Sequence, residues 1–244
     1  MISVCLASYN GGEYIKYQIQ SILEQLNPED ELIISDDNSS DDTLNIINGF
    51  DDSRIKLYNH IPQGNNSFEK ATYNFENALK VAKGDIIILS DQDDIWYKDK
   101  VRLLTNALSN ADIAKHDYST INSRGEIIKL SNYLRDDEEN RNLFYLIKYL
   151  PFRGCCMAFK RILLNYTLPF PKNCLQHDSW IGLMSRLLKF RFTYIDKPLI
   201  YHRIHISNVS ELKVPNSLVY KLKYRFKLLI QCLIRLMSIY KKSM

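Results

Sequence analysis

The chain has 244 residues, 45% of them hydrophobic, which is enough to bury one α/β core and short for two independent ones. Net charge is +4, yet after Glu211 there is no Asp or Glu and there are eight Lys or Arg, so setting that +8 against the total leaves −4 on residues 1–211. The basic character belongs to a tail, which speaks against a nucleic-acid-binding body.

In chain order, the first hundred residues alternate short apolar runs with helical patterns, the signature of βαβ units in a mainly parallel sheet. Strands are predicted at Val4-Cys5-Leu6, Leu32-Ile33-Ile34, Ile55-Lys56-Leu57 and Ile86-Ile87-Ile88-Leu89, most of them continuously apolar as befits strands covered on both faces. Ile15, Ile19, Ile22 and Leu23 recur at helical spacing, as do Phe68, Phe75, Ala78, Leu79 and Ala82. Asp41 or Ser40 is suited to cap a short helix carrying Leu44 and Ile47. A helix through Val101, Leu104 and Leu108 is expected next, then a strand over 113–118. Beyond residue 120 the pattern predicts a charged helical stretch over 136–149, a strand over 155–159 and a helix opening near Asp178. The Pro-containing segments 168–172 and 197–199 read as connections inside a domain, and composition changes near Val214-Pro215.

The five cysteines, Cys5, Cys155, Cys156, Cys174 and Cys232, are odd in number and lack CxxC spacing, so neither a disulfide framework nor a zinc site is indicated. No basic leader precedes Ile2, and no apolar run approaches the ~20 residues that span a bilayer. The expected location is the cytoplasm.

Ser90-Asp91-Gln92-Asp93-Asp94-Ile95-Trp96 follows directly on the fourth strand, so three carboxylates crowd the strand's C-terminal end, where open α/β sheets bind ligands. Such crowding is best relieved by a hard cation, Mg²⁺ or Mn²⁺, able to bridge the two phosphates of a nucleoside diphosphate. A solvated acidic turn is the competing reading of a lone DxD. Further motifs decide between them: Ala7-Ser8-Tyr9-Asn10-Gly11, Ser35-Asp36-Asp37-Asn38-Ser39-Ser40-Asp41, Lys83-Gly84-Asp85, Gln176-His177-Asp178-Ser179-Trp180, and Tyr201 to Val209. With these, in this order, the chain resembles family 2 glycosyltransferases from Ile2 to about Ser210, and in particular the bacterial surface-polysaccharide and rhamnosyltransferase-like branch.

The resemblance implies a GT-A fold, a Rossmann-like mainly parallel sheet flanked by helices. It implies that the loop from Ala7 to Tyr9, with Asp37, holds base and ribose, that Asp91 lies near the ribose, that Asp93 is the metal ligand and that Asp94 orients the loop. A carboxylate at Asp37 suits the N3–H of uracil or thymine; a turn or cap role competes for Asp36 and Asp37. Asp178, at the start of its helix, is by resemblance the catalytic base of an inverting transfer, against a plain N-cap role. His205 matches a histidine completing the metal site, a donor that suits Mn²⁺ better than Mg²⁺, against a merely packed histidine. His202 has no counterpart and reads as structural. In Arg153-Gly154-Cys155-Cys156, which resembles the segment under the donor sugar, Gly154 allows close backbone approach and the cysteines are packing residues.

The expected enzyme is an inverting, metal-dependent glycosyltransferase using a UDP- or dTDP-sugar on a glycan acceptor linked to polyprenyl diphosphate. The rivals are a nucleotidyltransferase, which the absence of a Gly-rich phosphate loop disfavours, and a catalytically silent sugar-binding protein. A catalytic domain is expected over 1–214, its nucleotide-binding half over about 1–118 and its acceptor-binding half over about 119–214. The tail, 215–244, places Leu218, Val219, Leu222, Phe226, Leu229, Leu233, Leu236, Met237 and Tyr240 on one helical face and most of its Lys and Arg on the rest, with Leu228, Ile234 and Ile239 intruding. Such a basic amphipathic helix fits the anionic inner face of the cell membrane as a peripheral anchor; docking on the body or on a second copy in a homodimer is the competing reading.

Overall fold

The computed structural model describes residues 1–132, 143–205 and 218–242. The predicted βαβ half is built from β1 (Ile2–Ser8), α1 (Ile15–Leu23), β2 (Glu31–Asp36), α2 (Thr43–Asn48), β3 (Ile55–Asn59), α3 (Ser67–Val81) and β4 (Ile86–Asp91). After β4 come β5 (Ile95–Trp96), α4 (Lys100–Leu108), β6 (Ile113–Ile121), β7 (Ile127–Asn132) and α5 (Leu143–Tyr149). The chain closes with β8 (Met157–Lys160), α6 (Leu164–Thr167), α7 (His177–Leu187), β9 (Phe192–Arg203) and α8 (Leu218–Lys242). Among the described residues one nine-stranded sheet runs in the order β3-β2-β1-β4-β8-β6-β9-β5, with β7 paired to β6 beside that path.

The first four strands pair in parallel, as their continuous apolar runs predict. Their side chains alternate between two cores, the period of a strand. Cys5, Ile33, Ile87 and Leu89 join Phe75 and Leu79 of α3 and Trp180 of α7. Val4, Leu6, Leu32, Ile34 and Ile88 join Ile15, Ile19 and Ile22 of α1 and Leu104 of α4. Each such aliphatic side chain stabilises the fold by about 1.5–3 kcal/mol relative to exposure. The other half is mixed: β8 is antiparallel to β4 and β6, β7 to β6 and β5 to β9, while β6 and β9 are parallel.

Three strands have no predicted counterpart, β5, β7 and β9. The segment 197–199, expected as a connection, lies inside β9: His116 pairs with Ile195 but Asp117 with Pro198, so the register slips by two residues there. A bulge of that kind is where a strand tolerates proline. The strand expected over 155–159 starts later, because Gly154–Cys156 form a single 3-10 turn ahead of β8.

Over 218–242 the tail is a helix docked on the body. Leu228 and Cys232 are buried in the core that holds Trp180 of α7, and the helix lies against α7 and α5, with Tyr224, Leu236 and Ile239 packed on the same core. Lys227 Nζ donates to Asn173 O at 3.0 Å, Gln231 Nε2 to Lys172 O at 2.9 Å, and Arg235 Nη1 to Tyr166 O at 3.1 Å and Leu168 O at 3.0 Å. Leu222, Phe226, Leu233, Met237 and Tyr240, on the predicted apolar face, point outward and are exposed together with Ile230 and Ile234. Two of the residues that intruded on the basic side, Leu228 and Ile239, are docking residues. Residues 136–142 of the predicted charged helix, the boundary at 214–215 and residues 206–209 of the last motif lie outside the described residues.

Candidate active site

Parallel pairing brings the C-terminal ends of β1, β2 and β4 to one edge, where Ala7 stands between Ser35 and Asp91, and Ser8 beside Asp36. Asp36 is consumed within the protein: it accepts from Ser8 Oγ, Ser39 N and Ser39 Oγ, each at 2.7 Å. The turn reading therefore holds for Asp36. Asn10 N donates to Ser39 Oγ, Gly11 N to Thr43 Oγ1 and Gly12 N to Asp41 Oδ2, so the loop after β1 is stapled to the loop after β2. Asp41 also accepts from Thr43 N at 3.0 Å, but the residue at the N-cap of α2 is Asp42, so neither Asp41 nor Ser40 is the cap.

Asp37 is different. Its backbone N–H donates to Ser8 O, while its Oδ1 lies 2.5 Å from His60 Nδ1. Burial raises the Asp37 carboxyl above its ordinary value, against the pull of His60. His60 follows directly on β3, and its backbone N–H donates to Asp36 O at 2.7 Å. Nothing in the sequence marks it, because its partner is 23 residues away.

The carboxylates after β4 take three separate roles. Asp91 is raised to about 7, first by burial and then by the charges of Asp94 and Asp93. Asp93 Oδ2 lies 2.8 Å from His205 Nε2, and the His205 ring packs on Tyr14 with centroids 4.8 Å apart. Asp94 turns inward, where its Oδ1 is met by His202 Nδ1 at 2.9 Å and accepts from Arg203 N at 3.2 Å. Arg203 Nε donates to Asp93 O at 2.9 Å, so the end of β9 holds the whole turn. Burial works to raise Asp94, but the His202 charge and hydrogen bond outweigh it and hold the carboxyl low; burial works to lower His202, and Asp94 overrides it to about 9.

Two cations lie behind this turn, and only Arg153 belongs to a segment that the sequence marks. Lys100 is fully buried, donates to Cys155 O at 2.8 Å and sits 4.2 Å over the Trp96 ring; burial lowers it to about 8. Arg153, at the head of the segment expected under the donor sugar, has Nη1 3.2 Å from His202 Nε2 and its guanidinium 4.6 Å over Tyr118. Asp94, Cys155 and His202 offer donor atoms within 4.8 Å of one another. A dication there would face Lys100 and Arg153, so that inner cluster is a poor cation site. Asp93 and His205 fit one better: an oxygen and an imidazole donor lie 2.8 Å apart, and the charge of Asp93, which after burial and Asp94 helps to raise Asp91, is what a dication would offset.

Asp178 stands in the first turn of α7, where the helix dipole favours a carboxylate. Its Oδ2 accepts from Gly154 N at 3.2 Å and its Oδ1 from Ser179 N at 2.6 Å. His177 turns away, stacked on Phe75 with ring centroids 4.0 Å apart, and burial lowers its pKa. A Cβ at Gly154 would lie 2.6 Å from His177 Nε2, so close approach is what the glycine provides. Cys155 and Cys156 are buried, and the Cys156 contact together with burial raises the Cys155 thiol, as fits packing residues. The segment 153–155 thus touches His202, Asp178 and Lys100 in turn. A separate cavity of about 550 Å³, lined by Asp85, Thr105, Lys160, Arg161 and Asn165, opens by the start of β4 and holds none of these groups.

A family model described as "Glycosyl transferase family 2" matches residues 3–167, a span that ends before Asp178 and His205. The dTDP-rhamnosyl transferase RfbG of Shigella flexneri is 31% identical over 234 residues, 90% of this chain and 77% of that protein. The UDP-Glc:alpha-D-GlcNAc-diphosphoundecaprenol beta-1,3-glucosyltransferase WfaP of Escherichia coli is 30% identical over 87% of this chain and 81% of its own length. Among solved structures, S. aureus TarS 1-349 in complex with UDP superposes with a TM-score of 0.63 at 22% identity, over 83% of this chain but only 60% of that one. Glucosyl-3-phosphoglycerate synthase from Mycobacterium tuberculosis, in complex with Mn²⁺, UDP and glucosyl-3-phosphoglycerate, gives 0.60 at 21% identity over 92% of this chain and 79% of that one. At these identities the structures speak to the fold alone, which is GT-A.

Proposed function

We propose that this chain, which belongs to glycosyl transferase family 2, transfers a sugar from a UDP- or dTDP-linked donor to a polyprenyl-diphosphate-linked glycan, with inversion at the anomeric carbon. The observation that carries the reading is the pairing of Asp93 Oδ2 with His205 Nε2 at 2.8 Å, two residues past Asp91 at the C-terminal end of β4 and beside the loops that follow β1 and β2. Backbone around Ala7 and Tyr9 borders the base, Asp37 accepts its N3–H and Asp91 faces the ribose. Asp93 and His205 would hold Mn²⁺ or Mg²⁺, which supplies charge neutralisation to the departing diphosphate. Asp178 takes the proton of the acceptor hydroxyl as that oxygen attacks the face of the sugar opposite the nucleotide. Both carboxylate oxygens of Asp178 are already oriented by backbone N–H groups, which supports this assignment over His177, packed against Phe75.

The acceptor class is carried over from the diphosphoundecaprenol-linked substrate in the name of the Escherichia coli relative. An acceptor of that kind is confined to the membrane surface, and the outward face of α8 suits the same surface. No helix among the described residues is long and apolar enough to cross a membrane. We therefore assign residues 1–214 to catalysis and 215–244 to peripheral attachment on the cytoplasmic leaflet.

Incubating the protein with Mn²⁺ and a panel of UDP-, dTDP-, GDP- and CMP-sugars tests this, through slow donor hydrolysis in the absence of acceptor. Hydrolysis confined to a UDP- or dTDP-sugar is expected. Turnover of none, in folded protein, would favour a silent sugar-binding role.

A further inference from the structure

Gln92 lies between two carboxylates of the metal turn, yet its side chain leaves that turn. Its Oε1 accepts from Tyr9 N at 2.8 Å and its Nε2 donates to Tyr9 O at 3.0 Å. A primary amide thus meets both backbone groups of one residue, the double bond pattern that a neighbouring strand would make. Room for it is left by a glycine two residues further on: a Cβ on Gly11 would lie 2.3 Å from Gln92 Oε1 and 2.5 Å from its Cδ. Gly11 carries no positive φ, so alanine is compatible with its backbone, and the three atoms nearest the added Cβ all belong to the amide. From the far side the same loop is held by Ser39, Thr43 and Asp41. Gln92 is therefore the brace on its nearer side, and it joins the loop bordering the base to the turn carrying Asp91 and Asp93.

We infer that Gln92 is a positioning residue for the donor, a clamp that holds the Tyr9 loop and the carboxylate turn at the separation a nucleoside diphosphate spans. The inference rests on the donor reading above. Base and diphosphate each contact one of the two loops, so the clamp presets the distance between half-sites and spares the ligand the cost of ordering them. Without it, Tyr9 hydrogen-bonds to water and the loop samples other positions.

The test is a double-mutant cycle read by calorimetric titration of UDP and of dTDP in the presence of Mn²⁺, with thermal melting to confirm folding. Gln92→Ala is expected to weaken binding about tenfold, the scale of two lost hydrogen bonds, and to raise the donor KM far more than it lowers kcat. Gly11→Ala should weaken binding similarly, because the new methyl expels the amide. The double variant should bind no worse than Gln92→Ala alone, since the methyl then enters space the amide has left; neighbours that act through one contact are non-additive in this way. Affinity of Gln92→Ala within twofold of the parent, or additive losses in the double variant, overturns the clamp. Failure of the parent protein to bind either nucleotide overturns the donor reading itself.

Discussion

The backbone N–H of Gly154 donates to Asp178 Oδ2 at 3.2 Å, which ties the candidate base to the segment that also touches His202 and supports Lys100. The carboxylate is thereby oriented by a backbone N–H group. Asp178→Asn keeps this shape but cannot accept a proton, so transfer is expected to fall by about 10²–10⁴-fold with UDP or dTDP affinity unchanged. Single-turnover transfer and nucleotide titration measure the two separately. Substantial residual transfer would move the base elsewhere.

Gly154→Ala tests the same contact from its partner. The added methyl would press on His177, which is pinned against Phe75, and the start of α7 must move. A stability loss of about 1–3 kcal/mol is expected from such overpacking, with kcat falling more than donor affinity. An unchanged kcat would show that Asp178 does not depend on this segment for its position.

Asp93 and His205 answer to a metal-dependent readout. Asp93→Ala is expected to abolish the Mn²⁺-dependent part of UDP or dTDP binding, and His205→Ala to reduce it by a smaller factor, since the carboxylate, the charged donor of the pair, then remains. Titrations with Mn²⁺ and with EDTA isolate that part. Equal Mn²⁺-dependent affinity in folded Asp93→Ala would remove the assignment.

Asp112 gives a pH dependence of stability away from the site. Burial pushes its carboxyl up, but the Arg191 backbone N–H at 3.0 Å, the Arg191 guanidinium and Lys160 Nζ at 3.2 Å outweigh it and hold the pKa below the ordinary value. A carboxyl depressed in the fold contributes stability above its unfolded pKa of about 3.9, and that contribution is lost as pH falls through the folded value. Asp112→Asn should therefore lower the urea midpoint at pH 7 and lower it far less near pH 3. Equal losses at the two pH values would mean that the hydrogen bonds matter and the charge does not.

What was legible in the sequence follows from how local each signal is. The runs at Val4–Leu6, Leu32–Ile34 and Ile86–Leu89 predict the parallel half because a strand buried on both faces is apolar throughout. The carboxylates at its edge are legible because they follow directly on those runs. Lys100, His60, Gln92 and the His202–Asp94 pair are not, since their partners lie 55, 23, 83 and 108 residues away and each alone resembles an ordinary surface residue. β9 was hidden by Pro198, which reads as a breaker until a bulge accommodates it.

The C-terminal helix carries the last prediction, because it has a docked face and an exposed apolar face, and a sequence pattern shows only one stripe. Leu228 and Cys232 dock it on the body, Tyr224 Oη donates to Gln176 Oε1 at 3.0 Å just ahead of Asp178, and Arg235 caps carbonyls of the 166–168 segment. Leu222, Phe226, Leu233 and Met237 remain exposed on the other side, with Lys223 and Lys241 exposed near them. Removing residues 215–244 would strip both surfaces and so cannot isolate either. Leu228→Ala should cost about 2–5 kcal/mol in urea unfolding, as buried leucine truncations do. The pair Phe226→Ser and Met237→Ser should leave stability within about 0.5 kcal/mol, being surface changes, yet reduce sedimentation with phosphatidylglycerol vesicles. Lys223→Glu with Lys241→Glu should reduce it further, by about 1 kcal/mol per charge removed from the surface, and increasingly so at low salt. Donor hydrolysis in solution should be untouched by these outward changes, while transfer to a membrane-embedded lipid-linked acceptor slows. If the outward variants bind vesicles as the parent does but shift a dimer to monomer on light scattering, the face belongs to a second copy of the chain and the membrane role is wrong.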